Sequence, residues 1–407
     1  MRLLFLFLFA SSSLLGQLQP ILWHIKSDTI ERWNYHFGDE FSTTTLDKEK
    51  WFDTYSWGGL LVKYRIYSDP KLVVPQEGFV SLKADTTSEW RTFQEWMIDK
   101  EIAKNAGVEI RNNSLQLKYL NSCIWSKQEF KYGYFECRCK APSGKGLWPA
   151  FWLFGQNNKD EIDFMEMKGE KEYESHIDIH VPDKTDIVPG FLGFKKNWGG
   201  WIKTNHKLTD EWVVFSGIWK PGSLVYYING VPVSHFKGDF KTSMNLIANL
   251  ANAVDNGPFN PGPDQSNIFP SEFLVDYMRV WKSNDDPSNS KAPKMLVRDE
   301  NKILMSSSIP ETKIKKKIGL IYDNKLFKKE IGFISLIPIN DRQYQIQVNG
   351  AKLKNTKVKV LDGSGKRVQE TVLTAQYSIL NLSSLKKGDY IIELNYNGVK
   401  QQVAIVL

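Results

Sequence analysis

The sequence predicts an all-β protein: a sandwich of short antiparallel strands, followed by a second and smaller β unit. Three observations carry that expectation. Short runs alternate apolar and polar residues along most of the chain, and Gly, Pro, Asn and Ser clusters separate them at close intervals. Asn229-Gly230 stands between two such runs, a pair that favours a type I′ hairpin turn. A single stretch, Glu89 to Ala106, has helical spacing, and it is placed as a loop insertion.

The chain opens with Met1-Arg2, an apolar run of Leu and Phe to Ala10, and then Ser11 to Gly16, with small residues at Ser11 to Ser13 and Gly16. A basic start, a short apolar stretch and small residues after it describe a secretory signal peptide, assigned here to residues 1–16. The run is too short to cross a bilayer, and no Cys follows it to carry a lipid. A length of 407 residues leaves room for two or three folded units. The net charge of +7 is uneven, because residues from Asn284 onward hold 21 Lys and Arg against 12 Asp and Glu. The basic character therefore belongs to the tail. It has no interleaved aromatics, which argues against a nucleic-acid surface. Fourteen Trp and 16 Tyr suit either an apolar core or a surface that stacks on sugar rings.

After weak signals up to Trp33, strands are expected at Lys71–Val74, Phe79–Ala84, Leu115–Tyr119, Cys123–Phe130 and Gly133–Lys140. Cys123, Cys137 and Cys139 fall on two runs that would face each other across a turn near Phe130-Lys131. One bridge at most is compatible with that hairpin, and buried free thiols are the alternative. Next comes Leu147 to Phe154, in which Trp148 and Trp152 share one face of a regular strand. They form a stacking platform for substrate if that face is the functional one, and core if it is not. Ser175 to His180 places His176, Asp178 and His180 on one face, with His180 read as a hydrogen-bonding group beside the acids. Further strands follow at Trp212–Trp219, Ser223–Ile228, Val231–Phe236, Asn245–Asn252 and Leu274–Trp281. The catalytic unit is assigned to 17–283, a linker to 284–331 and a C-terminal β unit to 332–407.

The chemistry concentrates in Glu161-Ile162-Asp163-Phe164-Met165-Glu166. Residues i and i+2 of a strand share a face, so Glu161 and Asp163 point together, whereas Glu166 at i+5 points away. One extra residue held as a bulge near Phe164-Met165 returns Glu166 to the same face. Three carboxylates in a row serve stability poorly. They suit glycoside hydrolysis with retention, which needs two carboxyl groups roughly 5–5.5 Å apart. Mutual repulsion would keep one Glu protonated as the acid while the other stays ionised. A solvated acidic edge, or a set of calcium ligands, is the competing reading.

Several ordered motifs between residues 35 and 282 resemble glycoside hydrolase family 16: GDEF…LD…W, YGYFECRCKAP, GKGLWPAFWLFG, EIDFME and LVDYMRVW. The resemblance implies a concanavalin-like β-jelly-roll of two curved sheets with a concave cleft. It implies an endo-acting, retaining and secreted enzyme that works as a monomer without a catalytic cofactor on a β-linked polysaccharide. Glu161 would be the nucleophile, Glu166 the acid/base and Asp163 the residue that orients the nucleophile. It also implies a structural calcium held through Asp276. Two departures, Ser122-Cys123 before the strand and Gln156-Asn157-Asn158-Lys159 before the acids, leave the substrate open between a β-1,3-glucan and a galactan such as agar, porphyran or carrageenan. The C-terminal unit resembles the sorting domain of type IX secretion, which implies passage through that machinery. A non-catalytic, lectin-like surface protein is the alternative from another functional class.

Overall fold

The computed structural model of the chain describes residues 33–156, 159–181, 197–204, 207–236, 238–240, 242–283, 333–340, 342–349, 356–373, 377–396 and 399–407. The expected signal peptide at 1–16 and linker at 284–331 lie outside the described residues.

Two mainly antiparallel sheets face one another across a shared apolar core. The first runs, in spatial order, Tyr119–Phe130, Met244–Asn252, Leu147–Phe154, Glu161–Glu166, Glu174–His180 and Asn197–Lys203. In the second, Trp33–Asp39 and Phe79–Thr86 both pair with Ser271–Ser283. Gly133–Lys140, Val213–Lys220, Ser223–Ile228 and Val231–Phe236 follow. Alternation decides which side chains meet between them. Phe151, Leu153 and Ile162 of the first sheet pack with Phe135, Cys137, Phe215 and Tyr226 of the second, all buried. The all-β sandwich expected from the patterning is the observed architecture. Asn229 and Gly230 make the tight turn between Ser223–Ile228 and Val231–Phe236, with φ of 48° and 76°.

Most spatial neighbours are distant in sequence, and this corrects two expectations. The strands Tyr119–Phe130 and Gly133–Lys140 follow one another along the chain but belong to opposite sheets. Cys123 therefore does not face Cys137 or Cys139 across a hairpin, and all three are buried free thiols. The helical reading of 89–106 shrinks to Lys100–Asn105, capped by the Asp99 side chain, which accepts from Ile102 N at 2.8 Å. Ahead of it, Trp90–Thr92 pairs with Ser114–Gln116 in a separate small sheet. Phe93, Ile98 and Ala103 pack as a satellite cluster with Leu115 and Leu117. Tertiary pairing overrides local helical spacing there. The expected strand at Lys71–Val74 begins as a single 3₁₀ turn over Pro70–Leu72, capped by Asp69, and is extended only from Val73.

The C-terminal unit has a three-stranded sheet (Phe333–Asn340, Gln343–Asn349, Tyr377–Asn381) and a four-stranded one (Arg367–Leu373, Thr356–Asp362, Asp389–Tyr396, Val399–Val406). Val358, Val360, Leu380, Leu382, Ile392 and Leu394 are buried within it. The Asp362-Gly363-Ser364-Gly365 turn closes through Asp362 Oδ1, which accepts from Ser364 N at 2.9 Å.

Candidate active site

The acidic strand lies in the middle of the first sheet, between Leu147–Phe154 and Glu174–His180. Its register to the former runs Ala150↔Glu166, Phe151↔Met165 and Trp152↔Asp163, which leaves Phe164 as the extra residue of a bulge. The same slip recurs on the other side, where Asp163 faces Asp178 and Glu166 faces His176. Both Phe164 and Met165 turn into the core. Glu161, Asp163 and Glu166 consequently line the same cleft.

That cleft encloses about 620 Å³ on the outer face of the first sheet. Its floor carries the three acids together with His176, Asp178 and His180 from the neighbouring strand. Asp163 and Asp178 are almost fully buried, and Glu161 keeps part of its surface open. Burial pushes the Glu161 carboxyl up to about 7, reinforced by the negative charges of Glu166 and Asp178 and opposed by His180 and by a hydrogen bond with Asp163. Burial and the surrounding carboxylates also raise Asp163, well above the usual carboxylate range. A hydrogen bond between the two carboxyls raises Asp163 and lowers Glu161, the directions expected with Asp163 as the donor. Asp178 is pushed up to about 6 by burial, opposed by His180 and His176.

Glu166 has a ring nitrogen on each side. The Trp148 indole Nε1 donates to its Oε1 at 3.0 Å, and His176 Nδ1 lies 3.1 Å from its Oε2. His180 Nε2 stands between Asp163 Oδ2 at 3.6 Å and Asp178 Oδ2 at 3.5 Å. From the second sheet, Tyr226 donates its hydroxyl to the Asp178 carbonyl at 3.0 Å, which ties the cleft floor to the core.

The two sequence-selected tryptophans both face the cleft but differ in use. Trp152 packs into a cluster with Trp125 and Ile247, and its Nε1 donates to Asn249 Oδ1 at 2.7 Å. Trp148 is half-buried, and the Phe259 ring lies parallel to it with centroids 4.5 Å apart. Four further aromatic residues of the cleft escaped the sequence reading. At the Glu161 end, Tyr55 and Trp57 stack at 4.5 Å, with Trp57 edge-on to Phe154. At the Glu166 end, Phe259 and Trp201 flank His176. Tyr55, Trp57 and Phe259 sit in irregular segments with no period to read, whereas Trp201, opposite His176 in the next strand, required knowing the register.

Asp276 lies on the outward face of the second sheet, away from the cleft. Its carboxylate pairs with the Arg138 guanidinium, and Arg279 adds a second positive charge nearby. Among the described residues, the cluster of Asp, Glu, His and Cys side chains close enough to share a metal is Glu161, Asp163 and His180, which does not include Asp276. A carboxylate already facing two guanidiniums does not fit the oxygen-rich, anionic cage a calcium ion requires.

Residues 84–269 match the sequence profile described as Glycosyl hydrolases family 16, and residues 338–407 match the Secretion system C-terminal sorting domain. Among curated relatives, a glucan endo-1,3-beta-glucosidase A1 of Niallia circulans is 25% identical over 61% of this chain and 38% of its own length. A beta-glucanase of Rhodothermus marinus is 24% identical over 63% of this chain and 88% of its own length. Beta-porphyranase D of Zobellia galactanivorans is 25% identical over 86% of this chain and 80% of its own length. The solved catalytic domain of an endo-1,3-beta-glucanase (laminarinase) from Thermotoga petrophila superposes with a TM-score of 0.50 at 21% identity, over 63% of this chain and 100% of that one, which speaks to the fold. The sorting domain assigns the chain to the cell surface or the extracellular medium. With the bulged acid row, the cleft and the sandwich beneath it, the chain carries a glycosidase domain that matches glycosyl hydrolases family 16 over residues 84–269, and behind it a secretion system C-terminal sorting domain.

Proposed function

We propose that this protein is an endo-acting glycosidase that cleaves a β-linked polysaccharide with retention, and that the C-terminal domain engages the secretion machinery. The observation that carries the reading is the bulge, which sets Glu161, Asp163 and Glu166 side by side on the floor of one cleft. In the first step Glu161 attacks the anomeric carbon while Glu166 gives a proton to the departing glycosidic oxygen. In the second, Glu166 takes a proton from water, whose oxygen displaces Glu161 and restores the original configuration. Asp163 touches Glu161 rather than the sugar. Its hydrogen bond holds the nucleophile in place and leaves Glu161 ionised.

The names of the relatives point to β-1,3-glucan and porphyran as the first polysaccharides to try. The test is a screen of the purified full-length chain on laminarin, mixed-linkage glucan, agarose, porphyran and carrageenan. Released reducing ends and product sizes are the readout, followed by NMR of the first-formed product. Early appearance of mixed oligosaccharides with the retained anomer is the expected result. An inverted anomer seen before mutarotation removes the nucleophile role of Glu161, and no hydrolysis of any β-glycan removes the reading altogether.

The electrostatics add a pH prediction. Glu161 attacks only when ionised, and burial pushes it up to about 7, so it loses its charge as pH falls through that value. One limb of the kcat/KM profile is expected near pH 7 rather than in the ordinary carboxylate range. Asp163→Asn keeps an N–H donor but loses the shared acidic proton. It should lower kcat by about tenfold or more, the scale of one charge-assisted hydrogen bond, with KM nearly unchanged. A rise in KM at constant kcat would instead assign Asp163 to substrate binding.

A further inference from the structure

Resting on the reading of Glu166 as the acid/base, we propose that His176 is its positioning residue. With a proton on Nδ1, it acts with Trp148 to fix the plane of the Glu166 carboxyl. The geometry is two-sided. Trp148 Nε1 approaches one oxygen at 3.0 Å from one adjacent strand, and His176 Nδ1 approaches the other at 3.1 Å from the opposite strand. Two donors on separate oxygens remove the rotation about the last side-chain bond that a carboxyl with one partner retains. They leave the remaining lone pair of each oxygen for the substrate.

The tautomer follows from the surroundings of the ring. His176 is fully buried, and its Nε2 has no hydrogen-bond partner among the described residues. Trp201 lies 5.0 Å from it and Phe259 5.7 Å, centroid to centroid, so aromatic surface replaces water on that side. A single proton on Nε2 would set the Nδ1 lone pair against an ionised Glu166 oxygen. A single proton on Nδ1 instead makes a hydrogen bond that stabilises the carboxylate.

The charges facing Glu166 show why such a donor matters. Its own strand contributes Glu161 and Asp163, and the neighbouring strand contributes Asp178 with His176 itself. The strand on the other side offers only Trp148 and Ala150, and the loop above offers the Phe259 ring. Lys168, two residues beyond, points its ammonium at the Asn260 carbonyl. The two N–H donors hold the Glu166 carboxyl in one plane among these neighbours, aimed at the glycosidic oxygen in the first step and at water in the second.

The experiment compares His176→Leu with His176→Gln in the full chain, on the polysaccharide it hydrolyses. His176→Leu should lower kcat by about ten- to a hundredfold, the range for losing one aligned donor, with KM within about twofold. His176→Gln, whose amide again presents an N–H, should recover most of the kcat. Nitrogen-15 NMR of the labelled wild-type protein should show a proton on Nδ1. Parallel losses in both variants that track their melting temperatures, with no recovery in His176→Gln, would reduce His176 to packing and overturn the proposal. So would a ring with its proton on Nε2 and none on Nδ1. Glu166→Ala run alongside separates the two readings. If it retains full activity, the acid/base assignment falls and this proposal with it. If it is inactive while His176→Leu is silent, this proposal alone falls.

Discussion

Glu161→Ser is expected to lower kcat by at least about 10⁴-fold, on the scale seen when a covalent nucleophile is removed, while the protein folds and binds oligosaccharide as before. The hydroxyl is shorter than the carboxylate, carries no charge, and reaches no anomeric carbon. Stability should not suffer, because Glu161 sits in the cleft at a cost. Its carboxyl is pushed from 4.5 up to about 7, chiefly by burial. The folded state then binds more protons than the unfolded state between those two values, so this group lowers stability as pH rises from about 4.5 to about 7. The melting temperature of Glu161→Ser relative to wild type should therefore increase over that interval and level off above it. Added azide makes the assignment specific. In Glu161→Ala it enters the vacated space and attacks the anomeric carbon directly, giving a glycosyl azide of inverted configuration. In Glu166→Ala it instead resolves the covalent intermediate on Glu161, giving the retained azide. The opposite pairing of products would exchange the roles of the two residues.

Phe164→Ala should be the most damaging substitution away from the acids themselves. Phe164 is the residue that makes the bulge, and its ring is buried where the two sheets meet. It lies 5.6 Å from Phe135, 5.3 Å from Phe151 and 6.1 Å from Tyr226, centroid to centroid. The seat beneath it is shaped for an aromatic ring: a Cβ built on Gly217 would come within 2.2 Å of Phe164 Cε1. Truncating such a side chain costs about 3–5 kcal/mol, which for a domain of this size lowers the melting temperature by roughly ten degrees. The catalytic loss should exceed that stability effect. Without its anchor the bulge relaxes, Glu166 shifts relative to Glu161, and a displacement near 1 Å is worth about a hundredfold in rate. Measured well below the melting temperature, Phe164→Ala should keep less than about a tenth of the wild-type kcat, with Phe164→Leu intermediate. Gly217→Ala should mimic the defect from the opposite sheet. A Phe164→Ala enzyme that melts early yet turns over at the wild-type rate would show that the acid row does not depend on this anchor.

Much of this protein was legible in one dimension. Period-two alternation at short intervals determines an all-β sandwich, because each strand must bury one face. The six residues from Glu161 to Glu166 also contain their own bulge: only an extra residue lets the third acid share a face with the first two. Local chemistry sufficed as well for the Asn229-Gly230 turn.

What the tertiary structure decided is everything that depends on which strands become neighbours. Met244–Asn252 inserts between Tyr119–Phe130 and Leu147–Phe154, and the successive strands Tyr119–Phe130 and Gly133–Lys140 separate into opposite sheets, which is why the three cysteines never meet as a hairpin would have them. Stretch 89–106 has helical spacing, yet most of it is claimed by a strand and a satellite core, since packing outweighs weak local propensity. Trp148 and Trp152 are equivalent by spacing. They differ only because Phe259, more than a hundred residues away, comes to lie over one, while Asn249 accepts from the other. The same holds for the charge states. Alternation puts His176, Asp178 and His180 on one face. Register then sets His176 against Glu166 and Asp178 against Asp163, and burial in that arrangement raises the Asp163 and Asp178 carboxyls.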